Sequence, residues 1–142
     1  MSMWTHVAGI VRIDALRFSD EESNTQLTNE IKELLGTPKN YNEIEFYPDG
    51  TTNTKVPHGT EGSLNYEVRL NDDYDMLPAG YISIFGDLRD FGGHSDQMKI
   101  MDWIMSLSSR FVIRQATIQI NDNYEDDTVI FYYYDGEWHE AN

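Results

Sequence analysis

Residues 80–105 read GYISIFGDLRDFGGHSDQMKIMDWIM. The first part of this stretch, Gly80 to Leu88, is an apolar, strand-like run. Ile100, Ile104, Leu107 and Phe111 then recur at helical spacing, flanked by Met101 and Met105. A strand therefore feeds a helix through the joint FGDLRDFGGHSD, residues 85–96. Asp87, Asp90, His94 and Asp96 in that joint are good ligands for a divalent metal, and a carboxylate–imidazole set suits acid–base chemistry. The same letters also build a connection. Gly86 ends or bulges the strand, Gly92 and Gly93 supply a turn, and Asp96 favours a helix N-terminus. We read the stretch as a junction, in which Asp87 and Arg89 share one side of the strand and can pair while Asp90 faces the other way.

Outward from this unit, the second helix is expected over about Asp96–Ser109, capped by Ser95. Upstream, LNYEVRL (Leu64–Leu70) is a strand joined to the first stretch by NDDYDMLPA, and downstream VIRQATIQIND and DTVIFYYYDGEWHE are two more. WTHVAGIVRIDAL (Trp4–Leu16) opens the order as a strand with Val7, Val11 and Ile13 on one face and His6, Ile10 and Arg12 on the other. Gly9 marks a bulge or a close approach in it. A first helix is expected over about Asp20–Leu35, with a capping box of Ser19 and Glu22, an apolar stripe of Leu27, Ile31, Leu34 and Leu35, and a stop at Gly36 and Pro38. Residues 37–63 form either a hairpin around Pro48-Asp49-Gly50 or a long loop. The order matches β-α-β-β-α-β, so the expected fold is α+β: a ferredoxin-like two-layer sandwich, its antiparallel sheet covered by two helices on one face, plus an added C-terminal strand. The opposite face is left to solvent or a partner.

A chain of 142 residues suits one domain spanning 1–142. With 39% hydrophobic and 13% aromatic residues it has the material for a core, unlike a disordered chain. No apolar run approaches membrane-spanning length, and MSMWTHVAGIVRID lacks the features of a signal peptide. Without cysteine there is no disulfide, thiolate metal site or cysteine nucleophile, and a reduced cytoplasm is the expected location. The formal net charge is −15, which repels nucleic acid and anionic membranes and attracts basic proteins. Acidity that merely keeps the chain soluble is the plainer explanation.

Catalytic signatures are missing: there is no phosphate loop, no H-E-x-x-H, no G-x-S-x-G and no G-x-G-x-x-G after a strand. The histidines, His6, His58, His94 and His139, form no i,i+4 pair, although the open sheet face can bring His6 against a carboxylate of a neighbouring strand. NDDYDMLPAG fails as an EF-hand loop, because its sixth and twelfth positions are Met76 and Ile82. Neither a metal nor an organic cofactor is expected, and the chain reads as a non-enzyme. VIFYYYDGEWHE (129–140) places aromatics on both faces of a last strand, Phe131 and Tyr133 on one side and Ile130, Tyr132 and Tyr134 on the other. An exposed tyrosine row anchors protein interfaces, whereas RNA would be repelled by the charge.

MWTHVAGIVRIDAL, VPHGTEGSLNYEV and YISIFGDLRDFGG resemble small proteins of unassigned function carried by bacteriophages. The resemblance covers about a third of the chain and implies no activity or cofactor. It favours phage-related roles acting in the host cytoplasm. The leading expectation is an acidic, non-enzymatic module that binds a basic host protein, as an inhibitor that mimics nucleic acid does. Its candidate contacts are Asp72, Asp73, Tyr74 and Asp75 in one acidic cluster, and Tyr124, Glu125, Asp126 and Asp127 in another. Successive residues of an extended chain lie about 3.3 Å apart, close to the roughly 3.4 Å phosphate spacing of a DNA strand. The alternatives are a small-ligand-binding homodimer of ferredoxin-like domains and a virion accessory or structural protein.

Overall fold

The computed structural model describes residues 3–14, 21–70, 79–122 and 127–141. Among them the chain runs β1 (Trp4–Asp14), α1 (Glu21–Leu35), β2 (Asn65–Leu70), β3 (Ala79–Arg89), α2 (His94–Met105), β4 (Val112–Asp122), β5 (Asp127–Tyr134) and β6 (Glu137–Ala141). The architecture is α+β: one six-stranded antiparallel sheet, in the order β2-β3-β1-β4-β5-β6, with two helices.

Alternation along the strands separates two environments. Val7, Val11 and Ile13 of β1, Ile82, Ile84 and Leu88 of β3, and Ile113, Ile118 and Ile120 of β4 are buried. They form one cluster with Leu27, Ile31 and Leu35 of α1 and Ile100, Met101 and Ile104 of α2. Each such side chain contributes about 1.5–3 kcal/mol by leaving water. Gly9 is a close approach rather than a bulge, since a Cβ there would lie 2.5 Å from the Ile118 side chain and 2.8 Å from the Thr117 carbonyl. The bulge falls later, at Arg12/Ile13, where Arg12 pairs with Gln115 and Ile13 with Ile113, leaving Arg114 as the extra residue.

The end of α1 shows how its last carbonyls find partners. The Gly36 amide donates to Lys32 O at 2.8 Å, Lys55 Nζ to Glu33 O at 2.6 Å, Trp103 Nε1 to Leu35 O at 2.8 Å and the Tyr66 hydroxyl to Gly36 O at 2.5 Å. Trp103 and Tyr66, whose rings meet edge-on at 6.2 Å, thereby fasten α2 and β2 to the end of α1. Burial raises the Tyr66 phenol above its ordinary pKa. Both halves of the expected capping box, Ser19 and the Glu22 side chain, lie outside the described residues.

Three expectations are corrected. The second helix covers His94–Met105 and passes into a 3₁₀ turn over Ser106–Ser109, rather than starting at Asp96. Gly93, not Ser95, is its N-cap. The single added C-terminal strand is two strands, because Asp135 and Gly136 take positive φ values of 52° and 80° and turn the chain back, pairing Tyr134 with Glu137. Asp-Gly between alternating residues is a strong hairpin signal, and the tyrosine run masks it.

Residues 37–63 are neither a two-stranded hairpin nor a free loop. The Pro48-Asp49-Gly50 turn forms, with Gly50 N–H donating to Tyr47 O at 3.0 Å, but it closes only one bridge, between Phe46 and Thr52. Asp49 Oδ1 accepts from both the hydroxyl and the amide of Thr51, and these bonds, the hydroxyl first, hold its carboxyl below the usual aspartate value. Buried Ile44, Val56 and Leu64 pin the segment to the protein. Its last part lies along the end of β3, with Thr60 N–H donating to Arg89 O and Arg89 N–H to Glu61 O.

Candidate protein-interaction face

The second set of alternate residues carries the surface chemistry. On β1 these are His6, Ala8, Ile10, Arg12 and Asp14, opposed on β3 by Asp87, Phe85, Ser83, Tyr81 and Ala79. On the other flank Ile10 pairs with Thr117, Thr117 with Tyr132, and Tyr132 with His139. Register thus brings side chains from six strands onto one face, which exposes Ile10 (45%), Phe85 (40%), Tyr81 (44%), Tyr132 (36%) and Tyr134 (69%).

Several of these side chains are held in place. Arg12 donates to the Tyr81 hydroxyl at 3.1 Å and sits 5.5 Å from the centre of its ring. Arg114, presented by the bulge, donates to Asp14 Oδ2 at 2.6 Å, and Arg12 Nε lies 3.7 Å from Asp14 Oδ1. Tyr132 stacks on His139 at 5.1 Å. A groove of about 870 Å³ runs between the Arg12–Asp14–Arg114 set and Tyr132, Tyr133 and Tyr134. Tyr133 itself turns inward, edge-on to Trp138 at 5.4 Å. The face carries the guanidinium groups of Arg12, Arg69 and Arg114 against the carboxylates of Asp14, Glu67, Asp87 and Glu137, nearly balanced in a chain whose net charge is −15. Asp135 borders the groove as well, and most of the other acidic side chains among the described residues lie off this face.

His6 does meet a neighbouring-strand carboxylate: its Nδ1 is 2.5 Å from Asp87 Oδ1. Both side chains are more than half exposed, and among the described residues neither has a further hydrogen-bond partner that would organise a reaction. The pair replaces the expected Asp87–Arg89 contact. Arg89 bonds Glu61 at 2.5 Å instead, near the carboxylate of Asp90. Asp90 accepts from the Thr60 hydroxyl at 2.8 Å. Asp96 accepts from the Gly92 amide at 2.9 Å and pairs with Lys99. His94 sits exposed on the first turn of α2. The acidic joint is spent on connecting β3 to α2, and among the described residues no three His, Asp or Glu side chains converge on one point.

Asp72, Asp73, Tyr74 and Asp75 lie outside the described residues, as do Tyr124, Glu125 and Asp126. Asp127 opens β5 opposite Asp122, and its side chain likewise lies outside what the structure describes. The strands that flank the two clusters place their ends far apart. Leu70 pairs with Gly80, which pairs with Ile13, whereas Asp122 pairs with Thr5. Thr5 and Ile13 are separated by roughly 26 Å along β1. The described strand ends that flank the two clusters therefore lie at opposite ends of the sheet. Ile10, Tyr81 and Phe85 join the face without having been expected as contact residues. Their signal is the same alternation that marks the strands, since each lies opposite the core in parity.

No family model, no curated protein and no solved structure matches the chain.

Proposed function

We propose that this chain is a non-enzymatic protein-binding module that engages a basic partner through the exposed face of its sheet. The observation that carries the reading is the exposed set of Ile10, Tyr81, Phe85, Tyr132 and Tyr134 on one face, opposite the residues that pack against the helices. Tyrosine and other large rigid side chains dominate interface energetics, and interface centres are depleted in net charge while the surround sets steering. A nearly neutral aromatic centre within a surface of −15 fits that arrangement. We further infer a ferredoxin-like two-layer core for β1 to β4 and the two helices, extended by β5 and β6. The order β2-β3-β1-β4 and the shared cluster of both helices support it. The likeness to bacteriophage proteins favours a host protein as target, and the acidity favours one that ordinarily holds nucleic acid.

The test is a pull-down from bacterial lysate at low and high salt, with the purified chain, its Phe85→Ser/Tyr132→Ser variant and an Asp72→Asn/Asp73→Asn/Asp75→Asn variant as baits. The reading expects one stoichiometric basic protein, lost by the face variant at both salts and weakened by the acidic-cluster variant mainly at low salt. Circular dichroism checks that each variant keeps its fold. A partner retained equally by the face variant, or no partner at all, overturns the proposal.

A further inference from the structure

We propose that the groove at the C-terminal end of α1 is a binding site for a small molecule bearing a diphosphate. Three of the four lysines of the chain, Lys32, Lys39 and Lys55, line this single groove of about 720 Å³, with Thr37, Thr52 and Asn53 between them. In a chain with 25 carboxylates and 10 Lys and Arg, the default position for a cation is against a carboxylate. Arg12, Arg89, Arg110, Arg114 and Lys99 each take that position, whereas Arg69 stands on the exposed sheet face without an ion pair among the described residues. The three groove lysines do not: among the described residues, no carboxylate lies within ion-pair distance of any of them. Glu33, the residue after Lys32 in α1, is turned to Arg110 at 2.5 Å.

Ordinary helix chemistry explains part of this set. Lys32 in the last turn complements the helix dipole, and Lys55 gives one hydrogen bond to the main chain at Glu33 O. An ammonium group has three donors, so Lys55 keeps two more, and Lys39 lies beyond the helix with neither role. Neighbouring ammonium groups repel one another, and an anion seated between them relieves that repulsion. The anion must carry several charges to match three ammonium groups, which a single carboxylate does not. Lysine binds phosphate as a point charge, and hydroxyl and amide walls supply the additional donors that oxyanion oxygens accept. A nucleic-acid strand would run past the three lysines onto the acidic remainder of the surface, whereas a small diphosphate fits within the groove.

The groove wall is also held still. The Thr54 hydroxyl donates to Thr37 O, the Thr52 hydroxyl to Thr54 O, and the Val56 amide to Thr54 Oγ1. These bonds fix the segment bearing Lys55 against the end of the helix bearing Lys32, so little ordering remains when an anion arrives. This site is separate from the exposed sheet face, and its test is independent of the partner.

The experiment is an amide NMR titration of the full chain with sodium pyrophosphate, with ionic strength held constant by sodium chloride. The native chain and a Lys99→Gln control should both show saturable shifts at Thr37 and Thr52–Lys55. The Lys32→Gln/Lys39→Gln variant should bind at least tenfold more weakly, while its unperturbed resonances elsewhere show an intact fold. Shifts that do not saturate, that fall elsewhere, or that persist with native affinity in the double variant overturn the proposal.

Discussion

Asp122 has no accessible surface, yet it is an acid in the strand beside the core. Its Oδ2 accepts from the Gly93 amide at 2.6 Å and from Gln97 Nε2 at 3.1 Å, so it serves the N-terminus of α2 from β4. The N-cap residue, Gly93, has no side chain to cap the helix, and the distant carboxylate stands in for one. Replacing Asp122 with Ala leaves a half-buried amide and a buried glutamine without this acceptor. We expect a loss of about 3 kcal/mol in chemical denaturation. A loss below about 1 kcal/mol would show that α2 is anchored by packing alone. Asp49 offers a contrast at the surface. Its carboxyl is held low by Thr51, so the folded pKa lies below the unfolded one and the bonds stabilise the turn above the ordinary aspartate value. That contribution disappears as pH falls through the lowered folded pKa. In an NMR pH titration, Thr51→Val should move the Asp49 titration upward, because the larger cause, the hydroxyl bond, is gone. An unchanged titration would assign the shift to the amide instead.

Two glycines with nearly the same positive φ separate the kinds of constraint that shape the elements. Gly136 in the β5–β6 turn has φ 80°, and a Cβ added there would meet nothing within 4 Å. Gly62 has φ 78°, but there a Cβ would fall 2.1 Å from the Asp87 carbonyl, on the segment that runs beside β3. Gly136→Ala should therefore lower stability by about 1 kcal/mol, through conformation alone. Gly62→Ala should lower it by several kcal/mol, because the segment must also move off the strand end. Thermal unfolding of both decides this, and equal losses would remove the close approach as a cause. The same distinction explains what is legible before the structure. Period-two alternation reveals β1, an apolar run reveals β3, and the Leu27, Ile31 and Leu35 stripe reveals α1, because local burial writes them directly. The joint at 85–96 is likewise readable as a connection. Gly62 against Asp87, Asp122 against Gly93, and the choice of Asp87 as the carboxylate that meets His6 are set by register between distant segments, where spacing along the chain carries no information. The exposed face falls between these cases. Parity places Tyr132 and Tyr134 together, but only the pairing order brings Ile10, Tyr81 and Phe85 beside them.

At the scale of the whole molecule, charge should act with opposite signs on folding and on association. Ten basic side chains cannot neutralise 25 acidic ones, so the folded chain holds carboxylates closer together than the unfolded chain does. Its surface ion pairs offer little against this, since pairs such as Arg110–Glu33, Arg89–Glu61 and Lys99–Asp96 are exposed and such pairs are worth about 0–1 kcal/mol each. Raising salt weakens those few attractions and the many repulsions together, as the Debye length falls from about 10 Å at 0.1 M to about 3 Å at 1 M. Repulsion is the more numerous set. The melting midpoint should therefore rise by several degrees from low to high sodium chloride, a salt chosen because sulfate would strengthen apolar burial by itself. Binding to a basic partner should respond the other way. There the same acidic field is attractive, it acts between molecules over many ångströms, and screening removes it while leaving the contacts of the aromatic face in place. Association rates measured across the same salt series should fall steeply, with dissociation changing much less. A melting midpoint that falls with salt would mean that ion pairs outweigh repulsion. An association rate insensitive to salt would leave the exposed face as the whole basis of recognition and the charge as a property of the free chain alone.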